Sequence, residues 1–65
     1  MEILVNSEPR EVKGPTLSAA LQELGYSGGA FATALNGHFV PQEHRSTQPL
    51  SAGDRIEVLA PMQGG

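Results

Sequence analysis

One stretch of this chain carries the pattern of an amphipathic helix, and it fixes what the rest must do. Leu17, Ala20, Leu21 and Leu24 stand at i, i+3, i+4 and i+7, which puts all four on one helical face. Ser18, Gln22 and Glu23 fall elsewhere on the circle. Gly14-Pro15 breaks the chain just before, and Thr16 stands where an N-cap hydroxyl can accept from a free N–H of the first turn. Gly25 is placed to stop the helix in a left-handed conformation. The spacing predicts a helix over 17–24.

The segments around it read as short strands. Residues 2–6 form a β-branched run that ends at the turn formers Asn6-Ser7, and Arg10–Lys13, after Pro9, is expected to return as the second arm of a hairpin. Pro9 cannot donate a ladder hydrogen bond, so it suits an edge strand or a strand's first residue. Tyr26-Ser27-Gly28-Gly29 reads as a loop. Phe31–Leu35 reads as a strand despite its three alanines, and Asn36-Gly37 is the preferred pair for a type I′ turn into His38-Phe39-Val40. Pro41 ends that arm, and residues 42–53 are polar and irregular, with Leu50 as a buried anchor. The last strand, Arg55–Ala60, alternates Ile56 and Val58 with Arg55 and Glu57 before Pro61.

A single helix covering one face of a mixed four- or five-stranded sheet satisfies this order with short connections. The leucine stripe would pack on Ile3, Val5, Leu35, Ile56 and Val58. The fold class expected is therefore α+β, a ubiquitin-like β-grasp, with a domain over residues 1–60 and a flexible tail at 61–65.

Composition narrows the function. Sixty-five residues leave room for one small domain, which buries roughly 60% of its unfolded surface. Hydrophobic residues make up 38% and charged residues 17%, too apolar and too weakly charged for a disordered segment. The absence of Cys rules out a disulfide framework, a thiolate zinc site and a cysteine-ligated iron–sulfur cluster. The net charge is −3, and the basic residues Arg10, Lys13, Arg45 and Arg55 are scattered, which argues against nucleic-acid binding. No apolar run approaches a membrane span and the N-terminus lacks the pattern of a signal peptide, so the cytoplasm is the expected location.

Catalysis by the chain alone is not expected. His38 and His44 have no nearby carboxylates at metal-ligand spacing, so no metal site is expected and both read as polar surface residues. Gly28-Gly29 lacks the continuation of a phosphate loop. The remaining unusual feature is the terminal Gly64-Gly65, directly after the last strand and its short approach, Met62-Gln63. Without Cβ atoms such a dipeptide can thread a narrow channel. Its carboxylate is a poor electrophile until ATP converts it to a mixed anhydride with AMP, after which a sulfur nucleophile can attack an unhindered carbonyl. A chain without thiols would then carry the sulfur as a terminal thiocarboxylate.

Several segments, in order, resemble one family. Val5-Asn6-Ser7-Glu8-Pro9-Arg10 is similar to a V-N-G-E-P turn, and Thr16-Leu17 through Leu24-Gly25 to a T-L…L-x-x-L-G helix. Ala34-Leu35-Asn36-Gly37 with Val40-Pro41 resembles A-L-N-G-x-x-V-P, and Leu50…Gly53-Asp54-Arg55-Ile56-Glu57-Val58 resembles L…G-D-R-I-E-V. Together with Gly64-Gly65 these resemble the ThiS-type sulfur carriers of bacterial thiamine biosynthesis.

The resemblance implies that the Gly65 carboxylate is the modified group, with Gly64, Gln63 and Met62 as the tail that enters a partner's channel. It implies adenylation by an E1-like, ATP-using enzyme of ThiF type, and sulfur from a sulfurtransferase or cysteine desulfurase system. Sulfur would then pass to a thiazole synthase of ThiG type. The chain itself would be a co-substrate with no bound cofactor. Two departures bear on partner docking: the Ala60-Pro61-Met62-Gln63 tail, and Gln42 where an Arg often follows the V-P pair. The alternatives are a MoaD-like donor for molybdopterin, a ubiquitin-like modifier joined to lysines, and a binding module with an inert tail. Strand alternation sends Leu4 and Leu59, with Phe39, to the sheet face away from the helix, where they would form a docking patch.

Overall fold

The computed structural model describes residues 1–27 and 30–59. Gly28-Gly29 of the expected loop, the domain boundary at residue 60 and the tail lie outside these residues.

The helix forms where the apolar stripe puts it. α1 spans Leu17–Glu23 with Leu24 as its C-cap, and Thr16 is the N-cap, its hydroxyl accepting from the Ala19 N–H at 3.2 Å. Leu17, Ala20 and Leu21 are buried, Leu24 is partly buried against the same core, and Gly25 takes φ 93°. The Glu23 carboxylate accepts the Lys13 N–H at 2.8 Å and the Gly14 N–H, which ties the end of the helix to the segment that leads into it. Gly14 permits that approach, because a Cβ there would lie 2.5 Å from the Ala19 Cβ.

The strands are β1 (Glu2–Val5), β2 (Glu8–Glu11), β3 (Ala32–Leu35), β4 (His38–Val40) and β5 (Arg55–Leu59). They form one five-stranded sheet in the order β2-β1-β5-β3-β4. Both hairpins are antiparallel, β5 pairs antiparallel with β3 and parallel with β1, and the sheet is therefore mixed. With one helix on one face this is the β-grasp arrangement. The two hairpin loops have two residues each, all with positive φ: Asn6 (50°) and Ser7 (72°), then Asn36 (51°) and Gly37 (86°). Such primed turns match the twist of the strands they join.

The core lies between α1 and the sheet. It holds Ile3, Val5, Leu17, Ala20, Leu21, Leu35 and Ile56, extended by Val12, Val40 and Leu50. Leu50 is the anchor of its loop: its N–H donates to the Pro15 carbonyl at 2.9 Å, and the Leu17 N–H donates to the Gln48 carbonyl at 2.8 Å. The loop thus straps the start of the helix.

The structure corrects three details. The second strand is Glu8–Glu11 rather than Arg10–Lys13, because the two-residue turn pairs Val5 with Glu8 and draws Pro9 into the ladder opposite Leu4. Pro9 is tolerated because β2 is an edge strand, exposed along its whole length. The third strand begins at Ala32, not Phe31, whose carbonyl accepts instead from Arg45. Val58 packs against the core as expected, partly buried near the end of β5. Within the polar stretch after Pro41, Gln42–His44 makes one 3₁₀ turn.

Candidate functional site

β5 is the element that leads into the tail, and it is held on both sides. It sits in the centre of the sheet, between β1 and β3. Both hairpin asparagines reach it with their side chains. Asn6 donates through Nδ2 to the Val58 carbonyl (3.2 Å) and accepts the Val58 N–H on Oδ1 (2.9 Å). In effect the amide extends the parallel ladder one step beyond the end of β1. Asn36 accepts the Arg55 N–H on Oδ1 (2.9 Å) and donates to the Asp54 carboxylate (3.0 Å), which also accepts the Ser51 N–H (2.7 Å). The turns that close the hairpins therefore clamp the two ends of β5. An asparagine suits this double duty, since it tolerates positive φ and offers both a donor and an acceptor.

Gly65, Gly64, Gln63 and Met62, the residues the sequence assigns to modification and to a partner's channel, lie outside the described residues. Up to Leu59, the described chain delivers them from a fixed strand at the middle of the sheet.

The face away from α1 carries the three residues of the expected patch. Phe39 and Leu59 are 69% and 74% exposed, the only large hydrophobic side chains so exposed among the described residues. The register explains why they form one surface: Phe39 lies opposite Ala34, and Leu59 lies opposite Ala32. Two small side chains of β3 thus make a low floor between two large ones. Leu4 lies on the same face but is half-buried and further along the sheet, beside Arg55 and Pro9. Arg55 and Glu57 of β5 stand between it and the Phe39–Leu59 pair. Leu4 lines a separate shallow cavity of about 240 Å³ with Ser7, Gly37 and Glu57.

The histidines stay at the surface: His38 and His44 are exposed. Among the described residues, no group of three His, Asp or Glu side chains could hold a metal ion. Nor is any helix there long and apolar enough to cross a membrane.

One family has a model that matches this chain, the ThiS family, over residues 3–65. This chain belongs to the ThiS family. The sulfur carrier protein ThiS of Thermus thermophilus is 38% identical over 63 residues, covering 97% of this chain and 98% of the relative. Among solved structures, the crystal structure of the thiamine biosynthesis protein ThiS of Geobacter metallireducens superposes with a TM-score of 0.81 at 28% identity, covering both chains completely. A solution structure of a Geobacter metallireducens thiamine biosynthesis protein gives 0.79 at 28% identity, over all of this chain and 88% of the other. This ThiS-family chain therefore matches its relatives over nearly their whole length.

Sequence reasoning did not find three features of the structure. The asparagine clamps were missed because a turn signal says nothing of where the side chain bonds. The alanine floor appeared only as weak strand propensity. Arg45, 6% exposed, had no periodic pattern around it to signal burial.

Proposed function

We propose that this chain is a sulfur carrier of thiamine biosynthesis, working in the cytoplasm, with the Gly65 carboxylate as the reacting group. The observation that carries the reading is the family match, which runs to Gly65 and so includes the terminal Gly-Gly. An E1-like enzyme of ThiF type joins the carboxylate to the α-phosphate of ATP and releases pyrophosphate. A sulfur nucleophile from a sulfurtransferase or cysteine desulfurase attacks the acyl carbon and AMP leaves, giving the thiocarboxylate. When the donor is a persulfide, a thiol cleaves the resulting acyl disulfide and is itself oxidised. Thiazole synthase of ThiG type then takes the sulfur into the thiazole ring, and the carboxylate is restored.

The chain's contribution is presentation rather than catalysis. Glycine at 64 and 65 leaves the carbonyl unhindered, and Met62 and Gln63 are the approach that fills the partner's channel. The central strand leads toward the tail, and the Phe39–Leu59 surface, with Leu4 beyond it, supplies an apolar area for docking the activating enzyme.

Intact-protein mass after incubation with a ThiF-type enzyme, ATP and a sulfur donor tests this. A gain of AMP less water, followed by exchange of one oxygen for sulfur, is expected, and both are lost when Gly64 and Gly65 are deleted. An unchanged mass with an enzyme proved active on its own carrier overturns the reading.

A further inference from the structure

Arg45 is a buried cation without an acidic partner among the described residues. Its Nε donates to the Thr33 hydroxyl at 3.0 Å, one of its terminal nitrogens (Nη2) donates to the Phe31 carbonyl, and its Cζ lies 4.4 Å from the centroid of the Phe31 ring. All these partners are neutral. The ion pairs among the described residues are Met1 with Glu11 and Arg10 with Glu8. Glu43, two residues away in sequence, is exposed and pairs with nothing described. A charge this buried is ordinarily matched by an opposite one.

The bonds to Thr33 and Phe31 occupy one edge of the guanidinium, formed by Nε and Nη2. The end formed by Nη1 and the second N–H of Nη2 has no acceptor among the described residues. Arg45 lines a cleft of about 250 Å³ between α1, the start of β3 and the 3₁₀ turn. Ser18, Gln22, Tyr26, Gln42 and Ser46 line it with hydroxyls and amides, and Arg45 is the only charged residue among the described ones that line it. In a chain of net charge −3, the described lining of this cleft holds no acid and carries a fixed cation.

We propose that this cleft is a binding site for a small oxyanion, a phosphate or carboxylate group, held end-on by the two parallel donors of Arg45. The planar fork matches two oxygens of such a group. Phe31 covers one face of the guanidinium, and Thr33 and the Phe31 carbonyl fix its orientation, so the end donors are pre-set rather than recruited. The hydroxyls and amides around the rim complete the shell. At about 30 Å³ for each water, the volume takes a tetrahedral anion together with some of its hydration. The site lies on the helix side of the sheet, away from the Phe39–Leu59 surface, and does not depend on the carrier reading.

Inorganic phosphate is the probe, titrated at constant ionic strength into the full-length ¹⁵N-labelled chain. Saturable shifts are expected at the Arg45 Nε–H and at the Phe31 and Ser46 amides, with half-saturation in the millimolar range. Gln22→Glu places a carboxylate on the cleft from an exposed helical position, so the fold and the thermal midpoint are retained while phosphate binding weakens about tenfold or more. Ser46→Glu approaches from the exposed loop opposite and should act alike. Shifts that rise linearly without saturating, or saturate equally in both variants, overturn the proposal.

Discussion

The two faces of the sheet are made by the same strands in the same register, yet they are built to opposite ends. On the side of α1, the alternate residues Ile3, Val5, Thr33, Leu35, Val40 and Ile56 are all buried. On the other side, Arg55, Glu57, Leu59, Phe39 and Ala32 are exposed, and Ala34 and Leu4 are half-buried. The first face is closed by a single helix of two turns, so each of its side chains carries a large share of a small core. The second holds two large apolar side chains, Phe39 and Leu59, and leaves both mostly in water, where they add little to the core. Stability is concentrated on one face, and the means of meeting another protein on the other. Substitutions on each face can test that division.

The largest effect is expected at Ile3, which is fully buried. Ile3→Ala removes methylenes from the middle of the core and leaves a cavity, at a cost of about 2–5 kcal/mol. For a domain this small, that is a large fraction of total stability. Urea unfolding followed by far-UV circular dichroism should show the midpoint falling steeply, with slope unchanged if the native state stays intact. A loss under 1 kcal/mol would mean that the helix-covered face is looser than its burial implies.

Thr33 sharpens the comparison, because it is the one polar residue on the covered face of β3. Its hydroxyl donates to the Val40 carbonyl at 2.9 Å and accepts from Arg45 Nε at 3.0 Å. Thr33→Val keeps the shape and strands both partners, which costs about 1–3 kcal/mol. If the covered face were held by apolar packing alone, the same exchange would be neutral or stabilising. Thermal unfolding of the two proteins decides between these outcomes.

These two positions also mark what the sequence could and could not reveal. Ile3, Val5, Leu35 and Ile56 were legible as core because period-2 alternation against a period-3.6 stripe leaves few ways to close one sheet with one helix. The primed turn was legible at Asn36-Gly37 because both residues tolerate positive φ. Thr33 and Arg45 were not, since each is buried through a bond to a residue distant in sequence, and neither alternation nor propensity records such a partner. The return strand was displaced by two residues for a related reason: Val12 marks the core, but it lies beyond the strand, joined to Met1 by a bond from its N–H to the Met1 carbonyl and another from the terminal amine to its own carbonyl. The docking residues were legible only as positions on a face. That Phe39 and Leu59 share a floor of Ala32 and Ala34 while Leu4 stands apart follows from the register, which a sequence does not print.

The smallest effect on folding is expected where the effect on partnership is greatest. Leu59 is 74% exposed and its Cα partner across β3 is Ala32, so Leu59→Asp removes almost no buried contact. Its unfolding free energy should stay within about 0.5 kcal/mol of the parent. On the sulfur-carrier reading the same change puts a charge at the centre of the apolar docking area, where desolvating it opposes association. Affinity for the ThiF-type enzyme should fall about tenfold or more, measured by calorimetry or as a rise in KM for adenylation. Leu4→Asp separates the two parts of the face: Arg55 lies beside it, and Glu57 and Arg55 isolate it from Leu59, so it should weaken binding less. Equal losses at the two positions would make the whole open face one interface. Unaltered affinity at Leu59 would remove the docking role from the face, and unfolding there would show that the two faces share their stability after all.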